Sequence, residues 1–246
     1  MHRLFVAPEA LQAAPGLIEL RGGQARYLAS VLRLGQGAPL EVFDGRGSSW
    51  RATLVSVTAE IIELQLEEAL PASPQAGADV TLVQALAKGD KLELIIQKAT
   101  ELGVRRIVPL AAERSVVKLE AERALARQER WQRIAQEAAR QCGRADVPVI
   151  EVPIGWDELL ANLSKEPERR GVLLHPQAPL RLSQAARGVP QLCLCVGPEG
   201  GFTAGEREGA ARAGLQEANL GPLVLRTETV ALAALAVVQH LHGALG

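Results

Sequence analysis

With 246 residues the chain can form one large domain or two small ones around a proper hydrophobic core. Its 48% apolar and 22% charged residues and net charge of −1 are those of an ordinary globular protein, so charge alone selects no nucleic-acid partner. No apolar run is long enough to span a membrane, "MHRLFVAPEA" lacks the apolar segment of a secretory signal, and three cysteines argue against a disulfide framework, so a cytoplasmic protein is expected.

The first elements are strands. "LIEL", "LEVF", "WRATLVSV" and "EIIELQL" are short runs that alternate in polarity or are rich in β-branched residues, joined by turn signals such as Asp44-Gly45-Arg46-Gly47. One helical patch, Gln24 to Leu32, interrupts them. This pattern predicts a small β-barrel or β-sandwich over residues 1–70. "EALPASPQAGAD" then has small residues, two prolines and no periodicity, which places a linker at 71–79.

From 80 to 246 strands alternate with helices. "VTLVQAL" reads as a buried strand. Leu92, Ile95, Ile96, Ala99 and Leu102 keep helical spacing until Gly103 stops them. "VRRIVPL" is a further strand, and a charged helix is expected from about Glu120 to Gln141. "PVIEV", "GVLLH" and "QLCLCVG" follow as strands, and an apolar helix from Val230 to Val238 lies near the C-terminus. The alternation predicts an α/β domain with a mostly parallel sheet, helices on both faces, and ligands at the C-terminal strand ends. Charge is uneven along the chain: Lys88 to Arg144 holds 13 basic and 8 acidic residues, enough for a polyanion-binding face or simply a solvated helix surface.

Three loops at predicted strand ends carry the chemistry. In "VGPEGGFTAGE", Gly197 to Gly201 leave a strand and Thr203 to Glu206 match a capping box, so a helix starts just beyond. Gly200 and Gly201 let a ligand approach bare backbone. Neither the lysine of a phosphate loop nor a dinucleotide fingerprint is present. Glu199 would repel a phosphate yet accept from ribose hydroxyls or face a cation, which points to an unphosphorylated, cationic nucleoside such as S-adenosylmethionine. "NLGPLVLRTET" repeats the logic with Leu220, Gly221, Leu225, Arg226, Thr227, Glu228 and Thr229, and "LLHP" adds Leu174 and His175. No metal is expected. His240 and His242 point about 200° apart on a helix, and Cys193 and Cys195 read as buried free thiols.

The stretches "HRLFV", "VLRLGQG", "VFDGRG", "KGDKLELIIQKATELGV", "ERSVVK", "QEAARQCGR", "VGPEGG" and "LGPLVLRTET" occur in this order almost from end to end. In them the chain resembles the RsmE-type ribosomal RNA (uracil-N3) methyltransferases, a SPOUT-class family. The resemblance implies a PUA-like RNA-binding β-barrel followed by a trefoil-knotted, mostly parallel α/β methyltransferase domain. It also implies a homodimer, S-adenosylmethionine as cofactor, and 16S rRNA as substrate, within the small ribosomal subunit. Val230 departs from the small or polar residue expected after "RTET".

Within that frame Leu174, His175, Gly197, Glu199, Gly200, Gly201, Leu220, Gly221, Leu225, Thr227 and Thr229 are expected to bind the cofactor. Arg226 is expected to stabilise the uracil anion, and Glu228 or Glu199 to take the N3 proton. Arg3, Arg33, Arg114, Arg140 and Arg144 are expected to contact RNA backbone. Another SPOUT RNA methyltransferase with a different target nucleotide, or a noncatalytic RNA-binding assembly factor, are the alternative readings.

Overall fold

A computed structural model describes residues 1–11, 15–22, 34–58, 60–71, 77–115 and 121–246. The chain divides into two compact units, Met1–Pro74 with Ala139–Val147, and Gln75–Ala138 with Pro148–Gly246.

The first unit holds β1 (His2–Phe5), β2 (Gly16–Arg21), β3 (Pro39–Phe43), β4 (Ser49–Val57) and β5 (Ile61–Ala69) in the order β1-β3-β4-β5-β2. The β1–β3 pair is parallel and the others are antiparallel. Alternate residues of each strand point inward, as the twofold side-chain period requires. Leu4, Ile18, Leu20, Leu40, Val42, Ala52, Leu54, Ile62, Leu64 and Leu66 meet in one core. Both end strands, β1 and β2, feed that core, so the sheet curls around it in the manner expected of a small barrel. The helical patch at Gln24 to Leu32 and Arg33 lie outside the described residues.

This unit is discontinuous, which a continuous 1–70 domain does not include. Residues 139–147 return to it: Val147 N donates to Gly45 O (2.9 Å) and Gly47 N to Ala145 O (3.1 Å). Arg3 binds the same segment, donating to the carbonyls of Ala139 (3.2 Å) and Arg144 (3.0 Å).

The second unit runs β6 (Asp79–Ala85), α1 (Lys91–Glu101), β7 (Arg106–Ala111), α2 (Ala121–Cys142), β8 (Val149–Ile150), β9 (Ile154–Gly155), α3 (Trp156–Leu163) and β10 (Arg170–Leu174). It continues through α4 (Leu182–Ala185), β11 (Gln191–Val196), α5 (Ala204–Arg212), β12 (Gln216–Ala218) and α6 (Thr227–Leu241). The last residues of α2 belong to the first unit. Strand order is β12-β10-β11-β6-β7-β8, with β9 also on β7, and every described pairing is parallel. The predicted linker ends one residue early, since Asp79 already pairs with Gln191 in the sheet.

Helices cover both faces of this sheet. Val83 and Ala85 of β6 pack with Leu159 of α3 and Ala210 of α5. The intervening Gln84 points to the opposite face and reaches Thr227 at the head of α6 (3.0 Å). Gln239, which interrupts the apolar pattern of α6, is itself buried. It accepts from Ala78 N (3.0 Å) and donates to Gly103 O (3.3 Å), so the polar atoms are satisfied where they are hidden.

Candidate active site

Parallel strands deliver their following loops to one sheet edge, and β10 and β11 lie side by side in the middle. Leu174 ends β10 and is followed by His175; Val196 ends β11 and is followed by Gly197. These two exits, the segment before α6 and the start of α1 enclose a cavity of about 590 Å³, within the range of small-molecule sites. A smaller cavity of about 60 Å³ adjoins it and shares Leu174, His175, Leu225 and Val230 in its wall.

The loop after β11 is shaped by its own residues. Gly201 has φ +68°, a backbone conformation that disfavours any side chain, and its N–H closes a turn onto Pro198 O (2.8 Å). The predicted capping box is present. Thr203 Oγ1 accepts from Glu206 N (3.3 Å) and Thr203 N donates to Glu206 Oε2 (2.8 Å), starting α5. Thr227 Oγ1 accepts from Gln84 and donates to Gly197 O (2.8 Å), which ties β6, the glycine loop and α6 together.

Of the residues expected to hold a cofactor, Leu174, His175, Gly197, Glu199, Gly200, Gly201, Leu225 and Thr227 line the larger cavity. Leu220 and Gly221 line the smaller one. Thr229 lines neither and is exposed. Arg226 and Glu199 face the larger cavity, whereas Glu228 is not in its wall.

The charged groups form a compact set. Lys91 Nζ lies 2.7 Å from Glu199 Oε1 and 3.7 Å from Glu228 Oε2. The Lys91 ammonium holds the Glu199 carboxyl below the usual range for glutamate, against a smaller opposing effect of burial. That hydrogen bond in turn raises the Lys91 pKa above its ordinary value. Arg226 is exposed at the cavity wall and makes no side-chain hydrogen bond or ion pair among the described residues. Burial lowers the His175 pKa, aided by the nearby positive charge of Arg207. Its Nδ1 is hidden and has no hydrogen-bond partner among the described residues.

The expected RNA contacts separate. Arg3 is committed inside its own unit. Besides the two carbonyls it donates to Glu41 (2.8 Å) and its guanidinium lies 4.7 Å from the centre of the Phe43 ring, with the side chain 13% exposed. These partners make Arg3 an anchor within its own unit. Arg144 pairs with Asp146 at 2.6 Å and is equally enclosed. Arg140 is half-buried near the end of α2. Arg114 is in the second unit, where it lines the large cavity and donates to Gly200 O (2.8 Å). Arg33 lies outside the described residues.

Lys91 was not singled out from sequence, although it opens the helix that follows a strand end. Its place just past a strand end is the local signal; its acid partner Glu199 lies 108 residues further on, so the pairing itself has none.

Residues 74–239 match the family described as the RNA methyltransferase domain, and residues 20–67 match the RNA methyltransferase PUA domain. The chain belongs to the RNA methyltransferase family, with a PUA-like first domain and a parallel α/β second domain. More particularly, it is similar to the ribosomal RNA small subunit methyltransferase E proteins. It is 36% identical to that of Synechocystis over 98% of this chain and 78% of the relative, and 31% identical to that of Bacillus subtilis over 98% and 96%. A crystal structure of a ribosomal RNA small subunit methyltransferase E from Neisseria gonorrhoeae, bound to S-adenosyl methionine, superposes with a TM-score of 0.89 at 32% identity. That superposition covers 98% of each chain.

Proposed function

We propose that the protein transfers the methyl group of S-adenosylmethionine to N3 of a uridine in 16S ribosomal RNA. The observation that carries this is Arg226, whose guanidinium makes no side-chain hydrogen bond or ion pair among the described residues and stands in a cavity wall shared with the glycine loop, Glu199, Lys91, Arg114 and His175. The cavity suits the donor: Leu174, Leu225 and Val224 offer apolar surface to an adenine, and Glu199 offers an acceptor and a negative charge. No lysine or arginine of the glycine loop calls for a phosphate. The names of the relatives, and the donor bound to the gonococcal one, support the same reading.

S-adenosylmethionine supplies the methyl group from its sulfonium; the chain supplies alignment, charge and a proton acceptor. Alignment of two bound reactants contributes up to about 7–11 kcal/mol to the barrier reduction. The uracil imide nitrogen has no available lone pair until its proton leaves, and the negative charge then spreads to the ring oxygens. Arg226 faces that charge. Glu199, kept ionised by Lys91, accepts the proton; because it is a weak base, most of the acceleration falls to Arg226. Glu228 lies behind Lys91 and acts on the cavity only through it.

Arg140 and Arg33 remain the proposed contacts to RNA backbone, Arg144 is held by Asp146 as Arg3 is by Glu41, and Arg114 guards the cavity rim. A homodimer, the trefoil-knotted SPOUT chain path and a cytoplasmic, ribosome-associated setting complete the proposal. The exposed apolar side chains Leu94, Leu223 and Val224, all in the second unit, favour burial against a second copy.

The test is transfer of labelled methyl to naked 16S RNA and to assembled small subunits, followed by nucleoside analysis. Label in N3-methyluridine is expected; label in another nucleoside would redirect the target, and no label would reject the activity. In the same assay Arg226→Ala is expected to lower turnover by about 10²–10³ at saturating cofactor, the usual cost of removing one anion-stabilising donor.

A further inference from the structure

Lys91, Arg114, Arg226 and Glu199 line the cavity and Glu228 lies just outside its wall, yet both acids turn to one cation. Lys91 Nζ lies within 4 Å of Glu199, from the loop after β11, and of Glu228, from the first turn of α6, while Arg226 meets neither. Folding stability does not explain this choice. Lys91 is 31% exposed and Glu199 39% exposed, and such pairs add little to stability in water. An arginine is also the better partner for a carboxylate, because its planar fork matches both oxygens. Glu228 is only two residues from Arg226, and its hidden Oε2, 3.7 Å from Lys91 Nζ, accepts no hydrogen bond among the described residues. Left alone, it would capture that guanidinium.

We propose that Lys91 is a positioning residue for the methyl transfer: by holding Glu199 and Glu228 it keeps Arg226 unpaired for the charge that develops on the target base. The inference rests on the function proposed above. The surrounding charges agree with it. Glu199 and Glu228 both favour the protonated ammonium, Arg226 opposes it, and Lys88 adds positive potential at Glu199. The ammonium therefore keeps its proton across the neutral range. It works as a fixed cation that occupies the acids, with no part as a base.

The test compares Lys91→Met, Lys91→Arg and the double variant Lys91→Met/Glu228→Gln in single-turnover methyl transfer to RNA, with cofactor binding measured separately. Lys91→Met is expected to slow turnover at least tenfold while the Kd for S-adenosylmethionine stays within threefold. Lys91→Arg restores most of the rate, and Glu228→Gln added to Lys91→Met recovers at least fivefold, since one of the competing acids is gone. A merely structural lysine would not be rescued by removing a second charge. Unchanged turnover in Lys91→Met, or a double variant no faster than the single, would overturn the proposal.

A second readout needs no activity. The Arg226 guanidinium signal in nitrogen-labelled protein, assigned with Arg226→Lys, is expected to average freely in the unaltered protein and to show slowed rotation in Lys91→Met. An Arg226 signal identical in both proteins would overturn the role of Lys91. A wild-type protein that transfers no methyl would instead reject the proposed function.

Discussion

His175 joins two strand ends through its backbone while its ring is partly buried near Arg207 and Glu217. Its N–H donates to Ala218 O (2.9 Å), yet its Nδ1 is hidden without a partner. Burial first, and Arg207 second, lower its pKa, so the resting ring is neutral. An unfolded chain takes up the imidazole proton near pH 6.5, whereas the folded chain takes it up only at lower pH. The folded state therefore has its full stability above that value and loses some as pH falls through the lowered pKa. Protonation would also place a cation beside a cationic ligand in the cavity. Affinity for S-adenosylmethionine is expected to weaken as pH falls below about 6.5, and His175→Gln to flatten that dependence in titration calorimetry.

Among the elements, the junction of β6, the glycine loop and α6 depends on one hydroxyl. Thr227, expected to touch the cofactor, lines the cavity, and its Oγ1 accepts from Gln84 and donates to Gly197 O. Thr227→Val keeps the volume but takes one of the two acceptors from the buried Gln84 amide, which keeps Ala85 O (3.1 Å), and removes the hydroxyl that donates to Gly197 O. The expected loss is about 1–3 kcal/mol in urea unfolding, with roughly tenfold weaker cofactor binding as the two loops loosen. The long elements were legible because their signals are local. The spacing of Leu92, Ile95, Ile96 and Ala99 ends at Gly103, where φ is +84° and α1 has stopped two residues earlier. The strand "QLCLCV" runs unbroken between breakers and is β11. The two-residue β8 and β9 and the three-residue β12 carry too few residues to show a period, and their pairing partners are set by the sheet.

At the scale of the molecule, the division of labour between the two units follows from where the arginines are used. Arg3 and Arg140 both lie in the first unit; Arg3 is tied to Glu41 and to the carbonyls of the returning segment, and Arg140 is half-buried near the end of α2. Arg3→Met is expected to lower stability by about 2 kcal/mol and to leave the salt dependence of RNA binding unchanged. Arg140→Ala should make that dependence shallower by about 0.7 in the log–log slope, the share of one phosphate contact on single-stranded RNA. Equal slopes for both variants would remove Arg140 from the interface. Sequence could not separate these two arginines. The carbonyls that hold Arg3 lie more than 130 positions away, and Glu41 lies two strands on. The return of residues 139–147 to the first unit was hidden for the same reason, since nothing local in the charged helix marks its end as part of another core. What the motifs did supply was the set of strand-end loops, and those loops do meet in one cavity.

The account stands on that cavity being the donor site, and a binding titration of S-adenosylmethionine into the unaltered protein and into Leu225→Trp tests it most directly. Leu225 lines both adjoining cavities, so an indole there fills space the donor needs. The account predicts one site per chain in the unaltered protein and at least a hundredfold loss in the variant, with matching melting curves showing that the fold is kept. Equal affinity in the two proteins would place the donor elsewhere and contradict the account.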